Sequence, residues 1–268
     1  METSIIDSLM LSEKRRDIMI LLSIESKSRD EMAEALDMPW QLLKQPIKEL
    51  KNVGMIFQKE NVYSLSNNGR LMITALMPLL TMVDAFSSDI DYWKSRDLQP
   101  IPHHLTKRMG ELGKSSLNTL SLDYMFEPLK HFIENATQTR YLNIVLSLFD
   151  PEAPSLLKEI ADKDIEISLV FERNTYGKMN ENFRDELDEL NNYKNISFYC
   201  IDSEVNPPEI IINDGEMAII FFNQNGKYDY RELLSSDENA IAWGSELFEY
   251  YKGISKPCSK NNAITPKP

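Results

Sequence analysis

Apolar positions between residues 11 and 66 come in short periodic runs, and their period changes once. Leu11–Leu22, Ser28–Leu36 and Pro39–Asn52 carry helical spacing, whereas Met55–Leu65 places apolar residues on both sides of a polar tip, Gln58-Lys-Glu-Asn61. The spacing predicts three short helices and then a β-hairpin. Ser28-Arg-Asp-Glu31 reads as a capping box opening the second helix. Only Asp37 and Met38 separate that helix from Pro39, a residue suited to the first position of the next. Helices joined so tightly must cross steeply, which predicts a helix-turn-helix with a β-wing over residues 1–70. Gly54 then closes the third helix by tolerating the left-handed conformation.

The third helix carries two different faces. Leu43, Ile47 and Leu50 fall at i, i+4 and i+7 and predict packing against the first two helices. Gln41, Lys44, Gln45 and Lys48 occupy another face that lacks Asp and Glu. Amides and amines are the groups that contact base edges and phosphates. With Trp40 at the helix start and Lys59 on the wing, they form the predicted DNA-binding set. Pro46 is out of place, since an interior proline costs about 3 kcal/mol and should bend the helix near Leu42.

Beyond the wing, residues 71–126 read as a helical connector. Its first part, 71–93, predicts one apolar helix bent near Pro78, which either pairs two protomers through Leu76, Leu79, Leu80 or Val83 or packs against the chain's own second domain. Pro100 and Pro102 then impose extended backbone. From residue 127 the rhythm becomes α/β. Helices are predicted over Phe126–Thr137, Pro154–Lys163, Asn180–Asn191 and Asn239–Tyr251. Strands are predicted at Leu142–Leu148, Ile165–Phe171, Ile196–Ile201, Glu209–Ile212 and Met217–Phe222. This predicts an α/β domain over 127–252 with a helix-covered sheet, followed by a disordered tail at 253–268.

Charge refines the picture. The chain of 268 residues has a formal net charge of -13, yet residues 1–70 hold 10 Lys and Arg against 11 Asp and Glu. The amino-terminal unit is therefore nearly neutral and can present a local basic face, while the remainder carries -12. Cys200 and Cys258 form no CxxC and sit near no histidine, which predicts a reduced cytoplasmic protein. The apolar run Leu71–Val83 is too short to span a bilayer, so no membrane partner is expected.

Two blocks are more particular. The first is Tyr92-Trp93, Arg96-Asp97-Leu98, Ile101-Pro102, His104-Leu105 and Arg108. The second is Gly226-Lys-Tyr-Asp229 with Ala242-Trp243-Gly-Ser-Glu246-Leu-Phe-Glu-Tyr-Tyr251. Following a winged helix, these blocks resemble the winged-helix transcription regulators of methanogenic archaea over roughly residues 10–252. The resemblance implies sequence-specific binding of double-stranded DNA and control of methanogenic genes, methyltransferase genes included. It also implies a sensory domain related to the phospholipase-D-like fold.

Phosphodiesterases of that fold need a His followed two residues later by Lys. After His103, His104 and His131 the corresponding positions hold Leu105, Thr106 and Ile133, so the domain is expected to be catalytically empty. No metal-ligand spacing and no phosphate-cradling glycine motif occurs, so neither metal nor cofactor is expected. A small-molecule effector would find aromatic and charged contacts in Trp93, Arg96, Arg108, Tyr228, Asp229 and Trp243. The alternative for these residues is core anchors and ion pairs. Two function classes follow: a dimeric DNA-binding regulator with a sensory domain, or a protein-interaction adaptor whose winged helix binds no DNA. Whether Gln41, Lys44, Gln45 and Lys48 face solvent together separates them.

Overall fold

The structure, a computed structural model, describes residues 12–120, 127–134, 139–163, 165–201, 203 and 205–258. It divides into two compact units, Met1–Leu80 and Thr81–Pro268.

In the first unit, α1 (Glu13–Ile24), α2 (Arg29–Ala35) and α3 (Trp40–Asn52) pack around Ile18, Met19, Met32, Leu43, Ile47 and Leu50, all buried. The residue at which the first helix was expected to start, Leu11, lies outside the described residues. Ser28 caps α2 reciprocally: its Oγ accepts from the Glu31 amide, and the Glu31 carboxylate accepts from the Ser28 amide at 2.7 Å. The wing strands β2 (Ile56–Lys59) and β3 (Val62–Leu65) pair antiparallel, so the turn is only Glu60-Asn61 and Gln58 and Lys59 belong to the ladder. A two-residue strand absent from the sequence reading, β1 (Lys27–Ser28), adds to β3 and completes a three-stranded sheet in the order β1-β3-β2. Gly54 takes a φ of 71°, as expected of a residue that closes a helix. α3 runs through Pro46 to Asn52 as one helix.

The apolar helix α4 runs from Asn67 to Ser88, and a new helix α5 (Ile90–Ser95) starts after it. The single bent helix expected over 71–93 is thus interrupted at Asp89, whose carboxylate accepts from the Tyr92 amide and caps α5. The first turn of α4 needs Gly69, because a Cβ there would stand 2.0 Å from the Met55 carbonyl oxygen.

The second unit is a three-layer α/β/α structure. Eight strands run in the order β11-β7-β6-β5-β8-β9-β10-β4. β5 (Tyr141–Leu146), β6 (Glu166–Phe171) and β7 (Ile196–Ile201) are parallel neighbours. β8 (Glu209–Ile212), β9 (Met217–Ile220) and β10 (Arg231–Ser235) continue antiparallel. The period of two in a strand sorts their side chains onto two faces. Leu142, Ile144 and Leu146 join one core with Leu129 and Phe132 of α7 (Glu127–Glu134) and Leu157 and Ile160 of α8 (Ala153–Ala161). That core also takes Met179 of α9 (Arg173–Asn182) and Leu187 and Leu190 of α10 (Arg184–Leu190). Val145, Ile210, Ile212 and Ile219 join the opposite core with Trp243, Leu247, Phe248 and Tyr251 of α11 (Glu238–Gly253). The ends of the helix expected over Phe126–Thr137 lie outside the described residues.

Two expectations are corrected here. Residues 92–120 are not a separate connector. Tyr92, Trp93, Leu105 of α6 (His103–Thr106) and Met109 and Leu112 of the following 3-10 turn belong to the second core, and β4 (Ser116–Thr119) forms the edge strand beside β10. The chain past Lys252 does not begin a disordered tail either, because β11 (Ser255–Pro257) pairs with Tyr199–Ile201. The remainder of that expected tail, 259–268, lies outside the described residues.

Candidate functional site

The outward face of α3 is built by its own amphipathicity. With Leu43, Ile47 and Leu50 turned inward, Gln41, Lys44, Gln45 and Lys48 are all left exposed. Glu49 is drawn off this face into an ion pair with Arg15 of α1, so the carboxylate that follows Lys48 in the chain is neutralised within the fold. Gln45 joins that network, its amide donating to Glu49 at 2.9 Å. The hydrogen bonds from Gln45 and Arg15 hold the Glu49 carboxyl below its ordinary range. This is a cost for readout by Gln45, since its amide must leave Glu49 before it donates to a base.

On the wing, Lys59 is exposed beside the turn, where Glu60 takes a φ of 55°. Lys51 of α3 donates to Gln58 at 3.2 Å and ties the helix to the wing. Trp40 is half-buried, tilted against Tyr63 at 5.9 Å between centroids, with the Arg29 guanidinium 5.5 Å from its ring centroid, so part of its ring braces the wing.

The six residues proposed for an effector do not converge on one pocket; four of them, Arg96, Arg108, Asp229 and Trp243, clamp the two sequence blocks together. Arg96 is buried and donates to the carbonyls of Tyr92 and Phe221 and, through both terminal nitrogens, to the Asp229 carboxylate. Burial pushes the Asp229 carboxyl up, but Arg96 and Arg231 outweigh it, and the group stays below its ordinary range. Trp243 is fully buried and donates to the Leu105 carbonyl at 3.0 Å. Arg108 pairs with Glu111 and, from its Nη1, with Glu246 at 2.7 Å. The Tyr251 hydroxyl donates to the Pro100 carbonyl at 2.8 Å. Trp93 donates to the Ala85 carbonyl and stacks on Phe86 at 4.8 Å. Tyr228 is half-buried with its hydroxyl unpartnered. Trp93 alone of the six lines the cavity described below.

Sequence reasoning missed a group of buried acids. Burial pushes the Glu209 carboxyl up to about 8 and that of Asp150 up to about 6, and it raises Glu232 as well. It also missed that Cys200 and Cys258 meet. Their thiols hydrogen-bond, and this contact together with burial raises the Cys258 pKa. A spacing of 58 residues carries no sign of it, because the contact is made by β11 pairing with β7.

The geometry defines the class: a three-helix unit with a β-wing, joined in one chain to an α/β unit built on a mixed sheet. Residues 125–253 match the family described as the methanogenesis regulatory protein FilR1, middle domain. The chain is 20% identical over 247 residues to the methanogenesis regulatory protein FilR1 of Methanothrix harundinacea (strain 6Ac), covering 90% of this chain and 55% of that protein. These matches bear out the resemblance to a methanogen regulatory family. The chain thus spans about half the length of the curated relative it matches. Among solved structures it is similar to the archaeal chromatin protein TrmBL2, at 11% identity and a TM-score of 0.43, over 94% of this chain and 97% of that one. An O-methyltransferase family protein of Burkholderia thailandensis is more distant, at 10% identity and a TM-score of 0.23, over 73% of this chain and 64% of that one.

Proposed function

We propose that this chain is a cytoplasmic, DNA-binding transcriptional regulator of methanogenic metabolism genes, methyltransferase genes among them. In this reading the second unit is regulatory and carries no catalysis. The observation that carries the proposal is the exposed quartet Gln41, Lys44, Gln45 and Lys48 on the third helix of a winged-helix unit, with the adjacent Glu49 neutralised by Arg15. Lys44, Lys48 and the wing's Lys59 serve phosphates, and Gln41 and Gln45 serve base edges. The name of the Methanothrix relative supports the metabolic assignment. The sequence holds no His-x-Lys pair, which fits a second unit without the phosphodiesterase chemistry of the phospholipase-D-like fold that the resemblance implies.

The test is selection of duplexes from a random pool, followed by salt-dependent titration. Lys44→Ala and Lys48→Ala should weaken binding to all sequences, each lowering the salt slope by about 0.9. Gln41→Ala and Gln45→Ala should change which sequence is selected. Failure to enrich any sequence, or unaltered isotherms for all four folded variants, rejects the reading.

A further inference from the structure

A cavity of about 310 Å³ lies within the second unit, walled by the end of α4, by α5, by the 3-10 turn and by β4 and β10. Leu112, Leu117 and Leu233 supply apolar wall, and Asp89, Tyr92, Ser115 and Arg231 supply polar groups. Tyr92 is fully buried, yet its hydroxyl has no hydrogen-bond partner, and neither has the buried Ser115 hydroxyl. Native interiors rarely leave such groups unpaired, and each one calls for an explanation. Both unpaired groups belong to residues lining this one cavity, although each hydroxyl oxygen is itself buried beneath the wall and not open to the space.

Arg231 adds a third donor. A guanidinium has five N–H donors, and Arg231 gives Nε to Asp229 at 3.3 Å and places Nη1 3.6 Å from Asp89, beyond hydrogen-bond distance. Its guanidinium lies 4.8 Å from the Tyr92 ring centroid. Asp89 is the acid of the wall, and its Oδ1 is occupied by the Tyr92 amide while Oδ2 faces Arg231. The guanidinium can only donate, and the two hydroxyls can donate or accept, with leucines nearby. That is the complement of an oxygen-bearing anion on a short hydrocarbon.

We infer that this cavity binds a small organic carboxylate, its oxygens received by Arg231 and, once the wall yields slightly, by the buried hydroxyls of Tyr92 and Ser115, and its carbons by Leu112, Leu117 and Leu233. The site is read from the cavity itself; its role as the regulator's input rests on the function proposed above. Occupancy reaches transcription only if the ligand prefers one arrangement of the protein over another.

The experiment is calorimetric titration of the full chain with sodium butyrate and sodium benzoate. Butyramide, benzamide and butylamine serve as uncharged and cationic counterparts, and sodium chloride as the ionic control. At least one acid should bind saturably, with its amide and the amine weaker by about tenfold or more. Arg231→Gln should weaken that acid by about tenfold and Tyr92→Phe by a few-fold. Without ligand, Tyr92→Phe should keep or raise Tm, because the hydroxyl it removes has no partner. Ser115→Leu, checked for folding by near-ultraviolet circular dichroism, fills the space and should abolish binding. No saturable binding of either acid, equal binding of acid and amide, or tighter binding of the amine overturns the inference. So does acid binding indifferent to all three variants. Acid binding in a chain that binds no DNA would leave the site standing and remove the regulatory reading; the reverse result would remove the site alone.

Discussion

At the scale of single residues, the group most at odds with its surroundings is Glu209. It opens β8 and accepts from the Leu148 amide at 2.9 Å, but burial dominates and pushes its carboxyl up to about 8. Asp150, at about 6, and Glu232, whose Oε2 is buried without a partner, oppose its ionisation, and the Tyr228 hydroxyl feels the same field. The folded protein therefore holds protons that the unfolded chain releases near the ordinary carboxyl range. Between that range and about pH 8 the native state binds more protons, so stability falls as pH rises, by at most about 1.4 kcal/mol per pH unit per group. Thermal melting should give a Tm that drops from about pH 5 to about pH 8. Glu209→Gln, neutral at every pH, should flatten the drop and raise the Tm at the alkaline end. A Tm that rises over this interval would refute the assignment. The sequence is silent about these acids because a Glu at a strand end looks like surface charge until the covering layers are known.

At the scale of elements, the clamp between the two sequence blocks decides how the second unit closes. Arg96 is held by Asp229, and Trp243 by the Leu105 carbonyl, across gaps of 133 and 138 residues. Asp229→Asn leaves the Arg96 guanidinium, 1% exposed, without its counter-charge. Losing one partner of a buried pair costs about 3–5 kcal/mol, so the variant should melt far below the parent in a denaturant titration. An unchanged midpoint would mean the carbonyls of Tyr92 and Phe221 suffice to hold Arg96. The same contrast explains what could be read in advance. The Ser28–Glu31 capping box and the alternating strand at Leu142–Leu146 rest on neighbours a few residues away, and the structure has both. β4, Ser-Leu-Asn-Thr, is polar and short, and only its pairing with Arg231–Leu234 makes it a strand. By type alone, the aromatic and charged residues of the two blocks suit ligand contacts or core anchors and ion pairs equally. Their partners are set by the fold, and the fold uses them to bind the blocks to each other.

At the scale of the molecule, α4 poses the remaining question. Its 22 residues, with a mean hydropathy of 1.5 in its most apolar window, are long and apolar enough to cross a membrane. Part of that character is spent on packing: Ile73 and Leu76 enter the winged-helix core, and Ala85 is buried in the second unit. Leu76 is therefore not available to a partner, and Leu80 is half-buried in the same core. What stays uncovered is Leu71 at 70%, Met72 at 40%, Leu79 at 45% and Val83 at 50% exposure. Met72, Ala75 and Leu79 follow i, i+3 and i+7, so they form one stripe on the helix. We propose that a second copy of the chain covers it, because two-fold readers of DNA pair two recognition helices about 34 Å apart on successive turns of the major groove. Sedimentation equilibrium at tens of micromolar should then give twice 31.0 kDa, and Leu79→Glu should return the mass to one chain. The substituted chain should also lose affinity for a two-half-site duplex while keeping the salt slope expected of a single winged helix. A parent chain that sediments as a monomer excludes this pairing. If lipid vesicles then retain the parent but not Leu79→Glu, the stripe belongs to a membrane surface.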